Sequence, residues 1–357
     1  MGCRIEAFAA NSMFYFQSLQ GKCLAFIQEV LIMVRIGTVG VGGMGQAHCN
    51  SLRNVKNCQF VAVADVRPDQ VKSVGEKFGV KPFTDYNEMF NEVDAITIAT
   101  PPWQHTPVTV DAAKRGIHVF CEKPLSATLD DADAMISAAD AGGVLLMVGQ
   151  VLRFYPLHEL GKKMIDDGLI GDIVYLETDY CGTYSGPRKK PESWFGKMGG
   201  LLENGIHKAD LINWFGGDPI TVAAEVGSFS GDLDWEDYTM SLIRYKNKAV
   251  GVLRWGSFMG SRGSRETIID GSKGSMKLDM DSGNVYHKLM GEREWTESIP
   301  PNKGADGVVA ELQHFVDCIS EGTNCIVDGR EGRKAVEIVL ATYKSAKEKA
   351  KIVLPMK

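Results

Sequence analysis

The chain has 357 residues, which is more than one domain usually holds, so two domains with separate cores are expected. Its 39 Lys and Arg residues against 45 Asp and Glu residues give a formal net charge of -6, which argues against a nucleic-acid partner because phosphates need a basic surface. None of the eight cysteines forms a C-x-x-C pair, so we expect reduced thiols in a cytoplasmic protein rather than a disulfide framework.

Residues 1–32 contain no confident element or motif. The apolar run at 23–33 lacks the basic region and the cleavage site of a signal peptide, and it is too short and too acidic to span a membrane. We therefore expect this segment to be an extension or a start-site artefact, with Met33 as the natural start, and we expect no membrane association.

Between residues 33 and 155, short β-branched runs alternate with helical stretches, which is typical of βαβ units. The runs are almost continuously apolar and are therefore expected to be buried on both faces of a parallel sheet. This region predicts a doubly wound Rossmann domain. The predicted strands cover 34–40, 59–65, 94–100, 118–123 and 144–149, and the clearest helices cover 105–115 and 129–141.

Residues 156–330 have a different pattern of predicted elements, namely one helix followed by strands joined by tight turns. This predicts a second, α+β domain with a largely antiparallel open sheet. One face of such a sheet must be covered, so we expect a homo-oligomer, a dimer or a tetramer, built on this domain. Residues 331–357 predict a C-terminal helix and tail, and the apolar face of that helix carries Ala335, Ile338, Val339 and Tyr343.

A glycine cluster, G-x-G-x-x-G, follows the first predicted strand and opens a helix. Gly40 permits a tight turn, Gly42 lets the backbone approach a pyrophosphate, and Gly45 lets the helix pack close to its strand. The N–H groups at the start of that helix then face the phosphate charge. The residues expected to bind the dinucleotide phosphates are Gly40, Gly42, Gly43, Met44 and Gly45.

Asp65 ends the second predicted strand, roughly 20 residues after Gly45, where a carboxylate accepts hydrogen bonds from the adenosine ribose. A carboxylate there repels the 2′-phosphate of NADP, so NAD is the favoured cofactor and NADP the less favoured one. Arg67 is the alternative partner for a 2′-phosphate, although a solvated arginine is the preferred interpretation.

The segment 100–125, "TPPWQHTPVTVDAAKRGIHVFCEKPL", places Glu122, Lys123 and Pro124 beyond the carboxyl end of a strand, where open α/β sheets bind ligands. Here the chain resembles the Gfo/Idh/MocA family of NAD(P)-dependent oxidoreductases, named for glucose-fructose oxidoreductase and inositol dehydrogenase. The resemblance covers nearly everything after Met33. It implies that Glu122 lies near the nicotinamide ribose and that Lys123 holds the reacting hydroxyl. Members of the family often have a cis peptide bond before the proline of this motif, so one is expected before Pro124.

The same resemblance makes Thr100, Pro101 and His105 candidates for the cofactor site, although His105 could equally have a packing role at the start of a helix. In the segment 199–211, "GGLLENGIHKADL", the family typically has an aspartate four residues before a histidine and another three after it. This chain has Glu203, His207 and Asp210, so the first position departs from the pattern.

On one continuous helix, Glu203, His207 and Asp210 would share a face, so Glu203 is expected to orient the His207 imidazole. Two alternatives remain open for His207: a satisfied buried histidine, and a Glu/His/Asp metal site. No further ligands cluster nearby in the sequence, so no metal is expected.

These residues together predict an NAD-dependent oxidoreductase that transfers a hydride from a hydroxyl of a sugar, a sugar derivative or a cyclic polyol. His207 is expected to accept the hydroxyl proton, and Lys123 to stabilise the alkoxide. Two alternatives are an NAD-dependent glycoside-cleaving enzyme that works by oxidation and elimination, and a non-catalytic NAD-sensing module. The candidate substrate residues are Arg153, Tyr155, Trp194 and Asn204, followed by Tyr180, Tyr184, Arg188 and Trp255.

Overall fold

A computed structural model describes residues 33–181, 194–229, 235–257 and 265–356 of the chain. The expected extension at 1–32 lies outside this range, as do the candidate substrate residues Tyr184 and Arg188 and the side chain of Trp194. Within the described ranges, none of the helices combines the length and the apolar character needed to cross a membrane.

The first domain is built on a six-stranded sheet in which every pair of neighbours is parallel, in the order β3-β2-β1-β4-β5-β6. The order reverses between β1 and β4, and a ligand crevice forms at such a point beyond the carboxyl ends of the strands. The predicted Rossmann sheet is thus confirmed. Its strands are β1 Val34–Val39, β2 Cys58–Ala64, β3 Lys81–Phe83, β4 Ala95–Ile98, β5 His118–Glu122 and β6 Leu146–Gly149.

Helices connect these strands and begin and end at recognisable cap residues. Thr128, for example, accepts a hydrogen bond from the Asp131 N–H at the start of one helix, and Gly143 ends that helix in the left-handed region. The helices are α1 Gly43–Leu52, α2 Pro68–Phe78, α3 Tyr86–Met89, α4 His105–Ala113 and α5 Leu129–Gly142, with short 3-10 turns at Phe90–Glu92, Pro102–Gln104 and Val151–Phe154.

The second domain contains a nine-stranded sheet in the order β14-β13-β12-β11-β7-β10-β9-β8-β15. Among the strands of the described ranges, β7 and β10 pair in parallel and all other neighbours in this sheet pair antiparallel, so the largely antiparallel sheet is as predicted. Its strands are β7 Ile173–Cys181, β8 Pro219–Gly227, β9 Tyr238–Tyr245, β10 Val250–Gly256, β11 Thr267–Gly271, β12 Gly274–Asp279, β13 Asn284–Leu289, β14 Thr296–Ser298 and β15 Ile352–Val353.

The helices of the second domain are α6 Pro156–Asp166, α7 Trp194–Met198, α8 Ile206–Gly216, α9 Gly307–Glu321 and α10 Gly329–Glu348, and one turn of π-helix, Leu201–Gly205, precedes α8. The predicted C-terminal helix is α10, and its residues Ala335, Ile338 and Val339 are buried. It packs against α5 and β6 of the first domain and against α8 and β8 of the second. The expected tail instead contributes β15, which pairs with β8.

Candidate functional site

The glycine loop between β1 and α1 has the geometry that its three glycines predict. Gly40 lies in the left-handed region at φ 85°, and a Cβ added there would lie 2.8 Å from the Ala99 carbonyl oxygen. A Cβ on Gly45 would lie 1.8 Å from the Gly40 carbonyl oxygen, so only glycine allows α1 to approach β1 this closely. A Cβ on Gly42 would meet nothing within 4 Å, so this backbone is open to a ligand.

A cleft of about 540 Å³ adjoins this loop at the carboxyl ends of β1, β2 and β4. Gly43 and Met44 form the first turn of α1 beside it. The open backbone at Gly42, the start of α1 and the carboxylate of Asp65 are the groups that a dinucleotide requires, so the residues present fit NAD. The expected residues that line the cleft are Gly40, Gly42, Asp65, Arg67, Thr100 and Pro101.

Asp65 and Arg67 form a two-point ion pair at the end of β2. The Arg67 Nε donates to Asp65 Oδ1 and its Nη2 donates to Oδ2, both at 2.8 Å, and the Val41 N–H donates to Oδ2 at 2.9 Å. Burial opposes the ionisation of Asp65, but these hydrogen bonds outweigh it and lower the pKa of the carboxyl. Arg67 is therefore ion-paired although its side chain is 58% exposed to solvent, and its charge offsets part of the negative charge that disfavours NADP.

The imidazole of His105 is fully buried and joins two loops that border the cleft. Its Nδ1 lies 3.1 Å from the Pro124 carbonyl oxygen, and its Nε2 lies 3.0 Å from the Thr100 carbonyl oxygen. Thr100 lines the cleft, whereas His105 does not. This geometry favours the packing alternative for His105, whose ring fills the space between the two loops and can donate its one N–H to either carbonyl oxygen.

Glu122 is the last residue of β5 and lies in a buried cluster with His48 and Glu311. Sequence reasoning missed these two residues. Its Oε1 lies 2.8 Å from His48 Nε2 on α1, and its Oε2 accepts the Lys123 N–H at 3.0 Å. Burial favours the neutral form, but the His48 hydrogen bond outweighs it and lowers the pKa of Glu122. Glu311 on α9 is also buried, and burial together with the Glu122 charge raises its pKa far above the usual range. Burial and the neighbouring carboxylate therefore both favour the protonated form of Glu311.

Lys123 follows directly, and the Lys123–Pro124 peptide is cis, as the resemblance implied. Its Nζ donates to the Glu203 carbonyl oxygen at 2.8 Å and lies 4.0 Å from Glu203 Oε1. This contact spans the two domains, because Lys123 follows β5 and Glu203 lies in the π-turn before α8. The ammonium group is thereby fixed beside the start of α8.

His207 lies in the first turn of α8. Burial, followed by the nearby charge of Lys123, lowers the pKa of His207 to about 3, and its Nδ1 has no hydrogen-bond partner. A histidine with such a pKa is neutral at physiological pH. The structure therefore brings together Lys123 and His207, the two residues that the sequence placed at the reaction centre.

Glu203 does not orient His207 as expected. No hydrogen bond or ion pair joins these two described residues, and Glu203 Oε2 has no hydrogen-bond partner. The reason is local: Leu201–Gly205 is a π-turn, so the face predicted for one continuous helix is interrupted between Glu203 and His207. The Glu203 carbonyl is directed to Lys123 instead.

Arg153 and Asp210 form a buried pair, and this corrects the substrate role expected for Arg153. Its Nε and Nη2 donate to the two Asp210 carboxylate oxygens at 2.8 and 2.6 Å, Nη2 also donates to Glu331, and Nη1 donates to the Ile326 carbonyl. Arg153 is only 2% exposed. We assign it a structural role: it connects the end of β6 to α8 and α10.

The other candidate substrate residues separate into two groups. Trp255 is fully buried against the π-turn, so it belongs to the core, and its Nε1 donates to Asn204 Oδ1 at 3.5 Å. Tyr155 is half-buried, and Tyr180, Arg265 and Glu311 act on its phenol electrostatically, which places these groups together beside the site. Burial is the main cause of the raised pKa of Tyr155.

Sequence signals for the missed residues were weak but present. His48 follows Gly45 on the face of α1 that is buried, and Glu311 interrupts the apolar face of α9 next to Leu312. An ionisable group on a buried helix face marks a cluster, although its partners cannot be read from spacing. Lys208, next to His207, is a third case: burial lowers its pKa to about 7, and its Nζ donates to the Arg265 carbonyl at 3.3 Å.

Comparison with known proteins agrees with this geometry. Myo-inositol 2-dehydrogenase of Thermotoga maritima is 28% identical in an alignment of 348 residues that covers 90% of this chain and 98% of that protein. A 2,7-anhydro-N-acetylneuraminate hydratase of Mediterraneibacter gnavus is 30% identical in an alignment of 269 residues that covers 72% of this chain and 70% of that protein. A solved levoglucosan dehydrogenase in complex with NADH and levoglucosan is 23% identical and superposes with a TM-score of 0.83, over 90% of this chain and 100% of that one.

Two family models together match almost all of the described chain. The model of the oxidoreductase family with an NAD-binding Rossmann fold matches residues 34–150, and the model of that family's C-terminal alpha/beta domain matches residues 162–354. The chain therefore belongs to the Gfo/Idh/MocA family of oxidoreductases.

Proposed function

We propose that this protein is an NAD-dependent dehydrogenase that oxidises a hydroxyl group of a sugar, a sugar derivative or a cyclic polyol. The observation that carries the proposal is that Lys123, at the carboxyl end of β5, lies close enough to His207, in the first turn of α8, for its charge to lower the pKa of the imidazole. One group can hold a substrate oxygen and the other can accept its proton. A non-catalytic NAD-sensing module has no need of this pair.

The residues proposed to hold NAD are the glycine loop for the pyrophosphate, Asp65 for the adenosine ribose, and Thr100 and Pro101 along the cleft. Glu122 is proposed to lie near the nicotinamide ribose, with its carboxylate kept ionised by His48. When bound, NAD accepts the hydride that leaves the substrate carbon.

His207 is the proposed proton acceptor, because its neutral imidazole offers a lone pair at physiological pH. Lys123 donates a hydrogen bond to the substrate oxygen and stabilises the negative charge that develops there. That charge raises the basicity of His207 during the transfer, because it offsets the Lys123 charge that lowers the pKa of the resting imidazole. The Glu203 carbonyl fixes the Lys123 ammonium in position.

The substrate class rests on the relatives and on the groups beside the site. Relatives named for inositol and apiose act on polyhydroxylated molecules, and Tyr155, Tyr180 and Arg265, which lie close to one another and to Glu311, offer this chain hydroxyl and guanidinium groups. A panel of pentoses, hexoses, anhydrosugars and inositols with NAD tests this, with NADH absorbance as the readout. We expect turnover on at least one member and a strongly reduced rate on that member with Lys123→Met. A panel without turnover by a folded, NAD-binding protein would contradict the proposal.

An oxidation and elimination reaction is the second candidate, because two relatives are named 2,7-anhydro-N-acetylneuraminate hydratases. Stoichiometry separates the two reactions. A dehydrogenase accumulates one NADH for each substrate consumed, whereas an enzyme that regenerates NAD converts substrate without net NADH.

We further propose a homo-oligomer formed through the open face of the second sheet. Strand β9 alternates buried and exposed residues, and its exposed Met240 and Leu242, at 45% and 52%, face away from the helices that cover the other side. Light scattering should give a multimeric mass for the wild type and a smaller mass for Met240→Lys/Leu242→Lys. Met290→Lys, at an exposed apolar residue after β13, is the matched control.

A cytoplasmic location is proposed on the state of the cysteines. Six cysteines lie in the described ranges, and none of these six is in a disulfide. Such thiols are typical of proteins in a reducing compartment. Fractionation of cells that produce the untagged protein tests this location directly.

A further inference from the structure

A histidine and two cysteines meet at the end of α9, away from the cofactor cleft. His314 and Cys318 lie one helical turn apart, with His314 Nε2 at 3.4 Å from Cys318 Sγ. Cys325, in the segment between α9 and α10, completes the group, and the three ligand atoms all lie within 4.8 Å of one another. None of the three residues lines the cleft that fits NAD.

The atoms of this cluster are the ligands that thiophilic cations prefer, namely one imidazole nitrogen and two sulfurs. The surrounding charges also favour a cation, because Asp317 and Glu321 act on His314 and Asp328 acts on Cys325. A small surface cavity of about 90 Å³ is lined by Asn324, Cys325 and Asp328, so one residue of the cluster borders a space that opens to solvent.

We propose that His314, Cys318 and Cys325 form a binding site for a thiophilic divalent cation, for which Zn²⁺ is the natural fit. Three protein ligands leave one position of a tetrahedral site for a water molecule. Each cysteine binds as a thiolate and releases its proton to solvent, and no electron is transferred.

The contacts that exist around the cluster show what must change on binding. His314 Nε2 accepts the Ile326 N–H at 3.0 Å, and Cys318 Sγ donates to the Asn324 carbonyl at 3.5 Å. A cation takes over the Nε2 lone pair and the Cys318 thiolate, so the Ile326 N–H is released to water at this exposed position. The site could not be predicted from the sequence, because the spacing of these residues matches no familiar zinc motif.

The site lies at a structural junction. The Ile326 carbonyl accepts Arg153 Nη1 at 3.2 Å, the Val327 carbonyl accepts the Val148 N–H at 2.9 Å, and Asp328 caps α10. A cation bound by His314, Cys318 and Cys325 would therefore link α9 to the segment between α9 and α10, whose Ile326 carbonyl accepts a hydrogen bond from Arg153. Binding should accordingly raise the thermal stability of the protein.

The test uses the full chain, reduced and freed of metal with a chelator, and titrates it with Co²⁺. We expect one Co²⁺ per chain with thiolate-to-cobalt charge-transfer absorbance and tetrahedral d–d bands, both displaced by Zn²⁺. Cys325→Ser and Cys318→Ser should each weaken binding by more than the ~10–100-fold that an outer-shell partner contributes. Zn²⁺ should raise Tm in the wild type and not in either variant.

Cys58→Ser is the matched control, because Cys58 lies on β2 outside the cluster and should keep the wild-type spectrum and affinity. Folding of the serine variants is checked without metal by their thermal unfolding. Thiolate bands of equal strength in Cys325→Ser would overturn the proposal. A wild-type protein whose cysteines titrate as reduced thiols but that gives no such bands would also overturn it.

Discussion

His207 carries the clearest consequence at the scale of single residues. Replacing it with Asn should lower kcat by ~10²–10⁴-fold, because the proton acceptor is lost, and should leave NADH affinity nearly unchanged. Steady-state kinetics and NADH fluorescence titration measure the two effects. His118→Asn is the control, because His118 begins β5 at the end of the strand opposite Glu122. Near wild-type turnover in His207→Asn would make Lys123 the first alternative for the base.

Lys123 and Glu203 should differ sharply on mutation. Lys123→Met removes the cation at the substrate oxygen, and kcat should fall by ~10²–10⁴-fold. Glu203→Gln should cost less than about tenfold, because Lys123 Nζ bonds to the Glu203 backbone carbonyl at 2.8 Å while the carboxylate lies 4.0 Å away. Kinetics of both variants on one substrate provide the comparison. A loss in Glu203→Gln as large as in Lys123→Met would show that the carboxylate itself is required.

The Asp65–Arg67 pair predicts opposite changes in cofactor preference. Asp65→Asn removes the carboxylate and frees Arg67 for a 2′-phosphate, so the ratio of kcat/KM for NAD over NADP should fall by about 10–100-fold, as for a hydrogen bond to a charged group. Arg67→Ala removes the ion pair, so the Asp65 charge is no longer offset and repels a 2′-phosphate more strongly. The ratio of kcat/KM for NAD over NADP should therefore rise. Changes in the same direction in both variants would contradict this account.

At the scale of elements, the π-turn before α8 depends on close packing against Trp255. A Cβ added to Gly200 would lie 2.1 Å from the Trp255 indole, so Gly200→Ala should destabilise the protein by about 1–3 kcal/mol and displace the carbonyl that holds Lys123. Urea unfolding and kcat measure the two effects. The double variant Gly200→Ala/Trp255→Leu should lose less stability than the sum of the single variants, because the clash is absent. Strict additivity would contradict the packing argument.

The same elements show what the sequence could and could not predict. The glycine loop, Asp65 and Lys123 were predictable, because each depends on local spacing around one strand end. The β3 strand was missed, because it has three residues, one of them proline, at the sheet edge. Arg153 was misassigned, because its partners Asp210 and Glu331 lie far along the chain and no local pattern links them. The π-turn was missed, because it packs closely against Trp255, which lies on β10 far along the chain.

At the scale of the whole molecule, acid should destabilise the fold partly through His158. This residue is fully buried on α6, and burial lowers its pKa to about 3. Below about pH 6.5 His158 is protonated in the unfolded chain but stays neutral in the folded chain. Its contribution to the free energy of unfolding is therefore complete above that pH and decreases as the pH falls toward 3. The loss from this residue is about 2 kcal/mol at pH 5.

His158→Phe should therefore lose less stability than the wild type between pH 7 and pH 5. Urea unfolding at the two pH values gives the difference in the free energy of unfolding. His287→Phe, on β13, is the control for a partly exposed histidine. An equal loss in His158→Phe and in the wild type would assign the acid sensitivity to other groups.

The parallel pairing of β7 with β10 has a consequence for folding kinetics. Strands β8 to β10 and strands β11 to β14 each pair antiparallel with their neighbours in sequence, whereas Tyr175 on β7 pairs with Val250 on β10 only after a long stretch of chain is brought back. Such loop closure is slow compared with hairpin formation, so we expect the two meanders to form first and β7 to join them last. Helix α8, which bears His207, packs on both β7 and β10. We therefore expect the proposed reaction centre to be among the last parts of the molecule to assemble.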